Sequence, residues 1–263
     1  MSAPLSVVIL AKDERDRLPA ALASVRWADE VLVVDTGSTD GTPEMAGAAG
    51  VLVERIAWEG FVASRERALA LASHDWVFSL DADERVPERL RDEILAALAG
   101  DDGSFAGLSM PRLSTYLGRT VRHGAWFPDV QFRIGRRSRG FRVTGGRVHE
   151  SFAVDGTVRR LSTPLCHEPY RDLSDVLRKA SLYAGLAAAD RASRDAPAGL
   201  GALAVRPAFE FFRSLVVKRG FLDGATGVTV AFLHAWYYFL RAAFRVEAET
   251  GAAGAAERRR EGA

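Results

Sequence analysis

The chain of 263 residues is nearly without cysteine and nearly without lysine. Cys166 is its one cysteine, which excludes an internal disulfide and any zinc site built on Cys spacing, and fits a reducing compartment. Lys12, Lys179 and Lys218 are its only lysines, so arginine carries the positive charge. With so much Ala and Gly, that reads first as the codon bias of a GC-rich genome. Net charge is only +1, and overall charge gives no reason to expect a nucleic-acid partner. No signal-peptide pattern precedes the first apolar run, so a cytoplasmic protein is expected. No repeat is visible. The one low-complexity stretch is 251–263, expected to be a disordered tail.

What is present is a hydrophobic share of 48%, enough to exclude wholesale disorder. Over the first hundred residues, buried-strand runs alternate with helical spacing. Strands are predicted at 5–10, 31–34, 51–56 and 76–80, and helices from 18, over 43–49 and 61–72, and from Pro87 to 99. That order predicts an α/β fold: a mostly parallel sheet with helices on both faces. Ligands of such sheets bind outside the carboxyl ends of the strands, which singles out residues 12–14, 35–40 and 81–84. From 105 to 165 the pattern shifts to shorter, Gly-punctuated strands, expected to be antiparallel. Helices are expected at 174–192, 207–219 and 224–247. The predicted organisation is a sheet domain over 1–170 and a helical region over 171–250.

Asp81-Ala82-Asp83-Glu84 is the most informative cluster. Residues two apart in extended chain point the same way, so two carboxylates leave the strand together. A divalent cation with hard oxygen ligands, Mg2+ or Mn2+, is the natural compensation. The alternative is a pair of solvated carboxylates at the start of the next helix. Asp35, at the second strand end, either accepts hydrogen bonds from a nucleotide or shapes its own turn.

These stretches together resemble the inverting glycosyltransferases of family 2, which have the GT-A fold. The resemblance is carried by Leu5-Ser-Val-Val-Ile-Leu-Ala-Lys-Asp-Glu14, by Val31-Leu-Val-Val-Asp-Thr-Gly-Ser-Thr-Asp-Gly-Thr42, and by Arg65 with Asp75-Trp-Val-Phe-Ser-Leu-Asp-Ala-Asp-Glu84. Further on, Trp126-Phe-Pro-Asp-Val-Gln-Phe-Arg133, Gly146-Arg-Val-His-Glu150, His167 and Lys218-Arg-Gly-Phe-Leu-Asp-Gly224 are similar to the lipopolysaccharide core-biosynthesis branch, which adds glucose to an inner-core heptose. The resemblance implies a UDP-sugar donor held by Lys12, Glu14, Asp35, Arg65 and Asp81. It implies a metal on Asp83 and Asp81, with His167 a further ligand, and acceptor contacts from Trp126, Arg133 and His149. In the family's first loop Asn usually precedes the glutamate; here it is Asp13. Where Asn often precedes Ala68, this chain has Glu66 and Arg67. The Gln-x-x-Arg-Trp pattern of processive synthases is absent, so a single sugar is expected to be added per encounter.

Such a transfer needs a base. Glu150, in the Val-His-Glu segment, is the expected base and Asp129 its rival. Residues 112–160 hold eleven arginines against Asp129, Glu150 and Asp155, which suits an anionic, lipid-linked glycan acceptor. There is no RNA-binding motif. Phe209, Phe212 and Val216 share one face of the 207–219 helix with Arg206, Arg213, Lys218 and Arg219 around them, the make-up of an interfacial helix. With 224–244 it is expected to form a peripheral membrane-association element at the cytoplasmic face of the inner membrane, rather than a span; the alternative is that both helices pack on the sheet. A glycosyltransferase acting on a polyprenyl phosphate or another surface glycan, a nucleotidyltransferase, and a non-catalytic sugar-nucleotide- or lipid-binding protein are the competing readings.

Overall fold

A computed structural model of the chain describes residues 3–145, 150–191 and 199–261, as backbone alone at 150, 189–191 and 251–261. The first elements are β1 (Leu5–Ala11), α1 (Leu18–Ser24), β2 (Glu30–Asp35), α2 (Thr42–Ala48), β3 (Leu52–Arg55), α3 (Phe61–Ala70), β4 (Trp76–Asp81), β5 (Glu84–Arg85) and α4 (Glu88–Ala99). Then come β6 (Gly107–Tyr116), β7 (Arg119–Thr120), β8 (Asp129–Arg136), β9 (Arg142–Gly145), β10 (Glu150–Ala153), β11 (Val158–Arg160) and β12 (Leu165–His167), followed by the helices α5 (Leu173–Arg191), α6 (Arg206–Phe212) and α7 (Gly224–Glu261). The chain divides into two compact units, 1–115 with 129–169, and 116–128 with 170–263. The excursion 116–128, which hydrophobic pattern alone assigned to the sheet, belongs with the helices.

In the first unit the sheet order is β3-β2-β1-β4-β8-β6-β12-β5, with β11 also on β6. β3, β2, β1 and β4 are parallel, and β8 runs antiparallel to both β4 and β6. The second half is mixed rather than antiparallel throughout, since β12 and β11 both run parallel to β6. The apolar run of β1 is continuous because both faces of the sheet are covered. Val7 and Ile9 pack in one cluster with Leu18 and Leu22 of α1 and Leu90 and Ile94 of α4. Val8, on the opposite face by the two-residue period, packs in another with Ala68, Leu69 and Phe141.

The parallel register brings the strand ends to one edge. Ala11 lies opposite Asp35, and Leu10 opposite Asp81. The two-residue β5 then pairs antiparallel with β12 and sets His167 opposite Glu84. This pairing carries a histidine from late in the unit to the tip of β4.

In the second unit, Tyr116, Val121, Val176 and Val230 form a core to which Trp126, Tyr170 and Leu233 are added. α6 passes into π-helical turns over Arg213–Val217. α7 continues to Glu261, past the residue 251 at which composition suggested a disordered tail; Ala, Glu and Arg there are strong helix formers. Asp223 explains why the 122–126 and 218–224 segments go together. Its carboxylate accepts from the backbone N–H of Arg122 (2.9 Å) and His123 (2.8 Å), and its other oxygen lies 2.9 Å from His123 Nδ1. Gly124 N–H and Ala125 N–H add bonds to the Lys218 carbonyl and the Ser214 hydroxyl. This stitch is a structural reason for a pattern that sequence alone assigns only by resemblance.

Candidate active site

The loops after β1 and β2 are knitted to each other. Asp13 sits at φ 55°, a left-handed conformation that Asp and Asn tolerate better than most side chains. Its carboxylate accepts from Thr39 N–H at 2.8 Å, and its own N–H donates to the Ser38 hydroxyl at 2.9 Å. Asp13 therefore closes the turn between the two loops. Asp35 is buried, and its oxygens accept from the N–H groups of Gly37 and Ser38 at 3.1–3.2 Å. The turn-shaping role is thus realised. Lys12 is exposed beside it. Glu66 accepts from the Val143 N–H, tying α3 to β9.

At the tip of β4, Asp81 receives Arg65 Nη1 from α3 at 2.9 Å and Arg133 Nη2 from β8 at 2.6 Å. Burial pushes its carboxyl upward, but Arg133, then Arg65 and Arg112, more than offset that and hold it far below the usual carboxylate range. Glu84 is completely buried. It accepts from Arg112 at 3.2 Å and Arg133 at 3.0 Å, while its other oxygen receives the Asp81 N–H at 3.1 Å. Arg112 also grips Asp129 through Nε (2.8 Å) and Nη2 (2.7 Å), and Gln131 donates to the remaining Asp129 oxygen at 2.6 Å.

Asp83, between Asp81 and Glu84 in the chain, has Arg17 Nη1 3.4 Å from its Oδ2. Its Oδ1 lies 3.7 Å from His167 Nε2. Ser114 holds the other ring nitrogen of His167 at 3.0 Å, which turns Nε2 toward the carboxylate. An imidazole fixed through its second nitrogen beside a carboxylate is a usual arrangement of metal ligands, so Asp83 and His167 are the residues that would hold a divalent cation. Among the described residues no cluster of three or more His, Cys, Asp or Glu side chains forms a metal cage. Two protein ligands with positions left for phosphate oxygens and water is the pattern expected of Mg2+ or Mn2+. The donor set therefore fits the cation expected from sequence on Asp83 and His167. Asp81 is engaged by arginines instead.

The other expected residues divide. Glu14 is at the edge of the cluster, bonded to Arg17. Arg133 is only 5% exposed and bonded to Asp81 and Glu84, so in this structure it organises the strand end. Trp126 packs between Tyr116 and Tyr170 in the helical unit's aromatic core. His149 lies outside the described residues, as does the side chain of Glu150. The arginine excess at 112–160 is also less free than its count suggested: Arg112, Arg133, Arg136 and Arg142 are each paired with a carboxylate. Arg17, Glu84 and Arg112 were not foreseen. Glu84 alone carried a signal, as the third acid of the 81–84 cluster.

A depressed carboxyl contributes stability at pH values above its unfolded-state range, and that contribution is lost as pH falls through the folded value. The Asp81 pairing thus supports the fold at neutral pH and persists well into acid. Arg133→Met leaves buried Glu84 and half-buried Asp81 each short of a partner and is expected to cost about 3 kcal/mol at pH 7. Urea denaturation followed by circular dichroism measures this loss, which should shrink at a pH low enough to protonate the orphaned acids.

Residues 6–153, more than half of the chain, match Glycosyl transferase family 2. The chain is 27% identical to the lipopolysaccharide core biosynthesis glycosyltransferase LpsC of Rhizobium meliloti, over 92% of this chain and 94% of that one. It is 26% identical to an uncharacterized glycosyltransferase of Rickettsia bellii, over 91% and 85%. Among solved structures it is similar to glucosyl-3-phosphoglycerate synthase of Mycobacterium tuberculosis in complex with Mn2+, uridine diphosphate and phosphoglyceric acid, at 17% identity and a TM-score of 0.49, over 75% and 82%. The chain belongs to glycosyltransferase family 2, and its strand-end acids sit on the α/β sheet of the GT-A fold.

Proposed function

We propose that this glycosyltransferase moves a single hexose, glucose from UDP-glucose, onto a lipid-linked glycan such as the lipopolysaccharide inner core. The observation that carries the reading is the Asp83–His167 pair, 3.7 Å apart at the carboxyl edge of the sheet. These two residues would hold Mg2+ or Mn2+. When bound, that ion offsets the charge of the donor's diphosphate. The chain's own groups do the rest. Glu14, Asp35 and Lys12 lie at the ends of the strands where the nucleoside would sit. The acceptor oxygen forms its bond to the anomeric carbon as the bond to the diphosphate oxygen breaks, its electron pair leaving with UDP. The configuration is inverted. Both oxygens of Asp129 are occupied by Arg112 and Gln131, which makes it a poor proton acceptor and favours Glu150 as the base. The similarity to LpsC along nearly the whole of both chains supports a cell-envelope glycan over a nucleotidyl transfer.

A UDP-release assay with extracted core glycolipids, with products read by mass spectrometry, tests this. Glu150→Gln should keep donor affinity and lower turnover by on the order of 10²–10⁴-fold, while Asp129→Asn falls much less. Full wild-type turnover after exhaustive chelation would sink the cation role, and the reverse ranking of the two variants would move the base to Asp129.

A lipid-linked acceptor calls for a membrane surface. No described helix is long and apolar enough to cross a membrane. Val205, Phe209, Phe212 and Val216 recur at three- and four-residue spacing and, with Val217 and Phe221, are 45–69% exposed. Arg219 is exposed and Lys218 half-buried beside them. A two-fold contact between copies would set these cations against themselves, whereas an anionic bilayer complements them and accepts the aromatic side chains. The chain is therefore proposed to dock peripherally at the cytoplasmic face of the inner membrane. It should sediment with phosphatidylglycerol vesicles, less so as salt rises, and Phe209→Asp with Phe212→Asp should abolish this without loss of helix content. A double variant that sediments like wild type would place the contact elsewhere.

A further inference from the structure

Arg17, at the start of α1, bonds to several groups of the site at once. Its Nε and Nη2 close a fork on the Glu14 carboxylate at 2.7 and 2.6 Å. Its Nη1 lies 3.4 Å from Asp83 Oδ2 and reaches the carbonyl oxygens of Glu168 (3.2 Å) and Pro169 (3.4 Å). Glu168 in turn donates its N–H to the Asp83 carbonyl at 2.9 Å. One guanidinium thus joins the loop after β1, the turn bearing Asp83 and the residues immediately after His167. The Arg17, Glu14 and Asp83 side chains are 12%, 19% and 17% exposed, so these bonds are sheltered from most of the screening that weakens surface pairs.

We propose that Arg17 is the positioning residue of the Asp83–His167 pair: it fixes the spacing of the two ligands and offsets the charge of Glu14 and Asp83 before cation and donor arrive. The proposal rests on the reading of that pair as a cation site. The geometry favours organisation over competition. Arg17 approaches Asp83 Oδ2, whereas His167 faces Oδ1, so the oxygen nearest the imidazole is the one the arginine leaves. A lysine would bring the charge but not the planar fork that spans several acceptors at once.

The test is calorimetric titration of Mn2+ into the full chain with saturating UDP, for wild type, Arg17→Lys and Arg17→Met. Circular dichroism and thermal melting confirm that each is folded. Both variants should bind Mn2+ more weakly by on the order of 10–100-fold, as loss of a group orienting metal ligands does, and the lysine should not rescue. Wild-type affinity in Arg17→Lys would show that charge alone suffices and overturn the positioning role. Unchanged or tighter binding in Arg17→Met would overturn it too, making Arg17 a bystander or a competitor of the cation. Should Arg17→Met not fold, Arg17→Lys decides. A wild-type chain that takes up no Mn2+ contradicts the cation reading itself, whatever the variants do, and the proposal falls with it.

Discussion

Carboxylates do not share a half-buried strand end unless something offsets their charge, and the tip of β4 holds three of them within four residues: Asp81, Asp83 and Glu84. The protein meets this with arginines drawn from distant elements. Arg65 comes from α3, Arg112 from β6, Arg133 from β8 and Arg17 from the start of α1. Glu14 and Asp129 join the same set, gripped by Arg17 and Arg112. Asp83 meets Arg17 Nη1 at 3.4 Å through one oxygen and faces the His167 imidazole at 3.7 Å through the other. Pairing of this kind offsets the charge of the acids and aims them at the strand end.

The topology exists in the form that this balance needs. Parallel β1, β2 and β4 deliver three strand ends to one edge. An antiparallel β8 beside β4 then allows Arg133 to reach back toward Asp81, and the short β5–β12 ladder places His167. Glu84 is the residue on which these meet. It receives arginines from β6 and β8, bonds the Asp81 backbone, and lies in register with His167. Its burial is tolerable only because each oxygen has a donor. The short ladder and the ion network therefore share one residue, Glu84.

The legible part of the sequence was the part governed by local rules. Strands covered on both faces leave unbroken apolar runs, so β1, β2 and β4 and the acids at their ends could be read directly. Paired carboxylates two residues apart announced a charge problem at Asp81 and Asp83. How it is solved was not legible. Which arginine reaches which acid depends on register between strands far apart in the chain, and nothing near Arg17, Arg112 or Arg133 marks them as partners of the 81–84 turn. Arg133 was expected as an acceptor contact from family resemblance, yet it is buried and bonded to Asp81 and Glu84. β5 is too short to leave any periodicity, so the pairing that brings in His167 could be expected only from family resemblance. Trp126 was read as part of the sheet domain because the chain leaves and re-enters that domain within about a dozen residues, too short an excursion for a change of pattern.

The central claim is that Asp83 and His167 hold one divalent cation together. Electron spin echo modulation of Mn2+ bound to the chain with UDP tests it most directly, because a coordinated imidazole nitrogen modulates the manganese echo. The account predicts nitrogen modulation from one directly bound imidazole in the wild type, lost in His167→Asn while Mn2+ is still retained through Asp83 at raised concentration. Bound Mn2+ without directly coordinated nitrogen, or modulation that survives in His167→Asn, would contradict it.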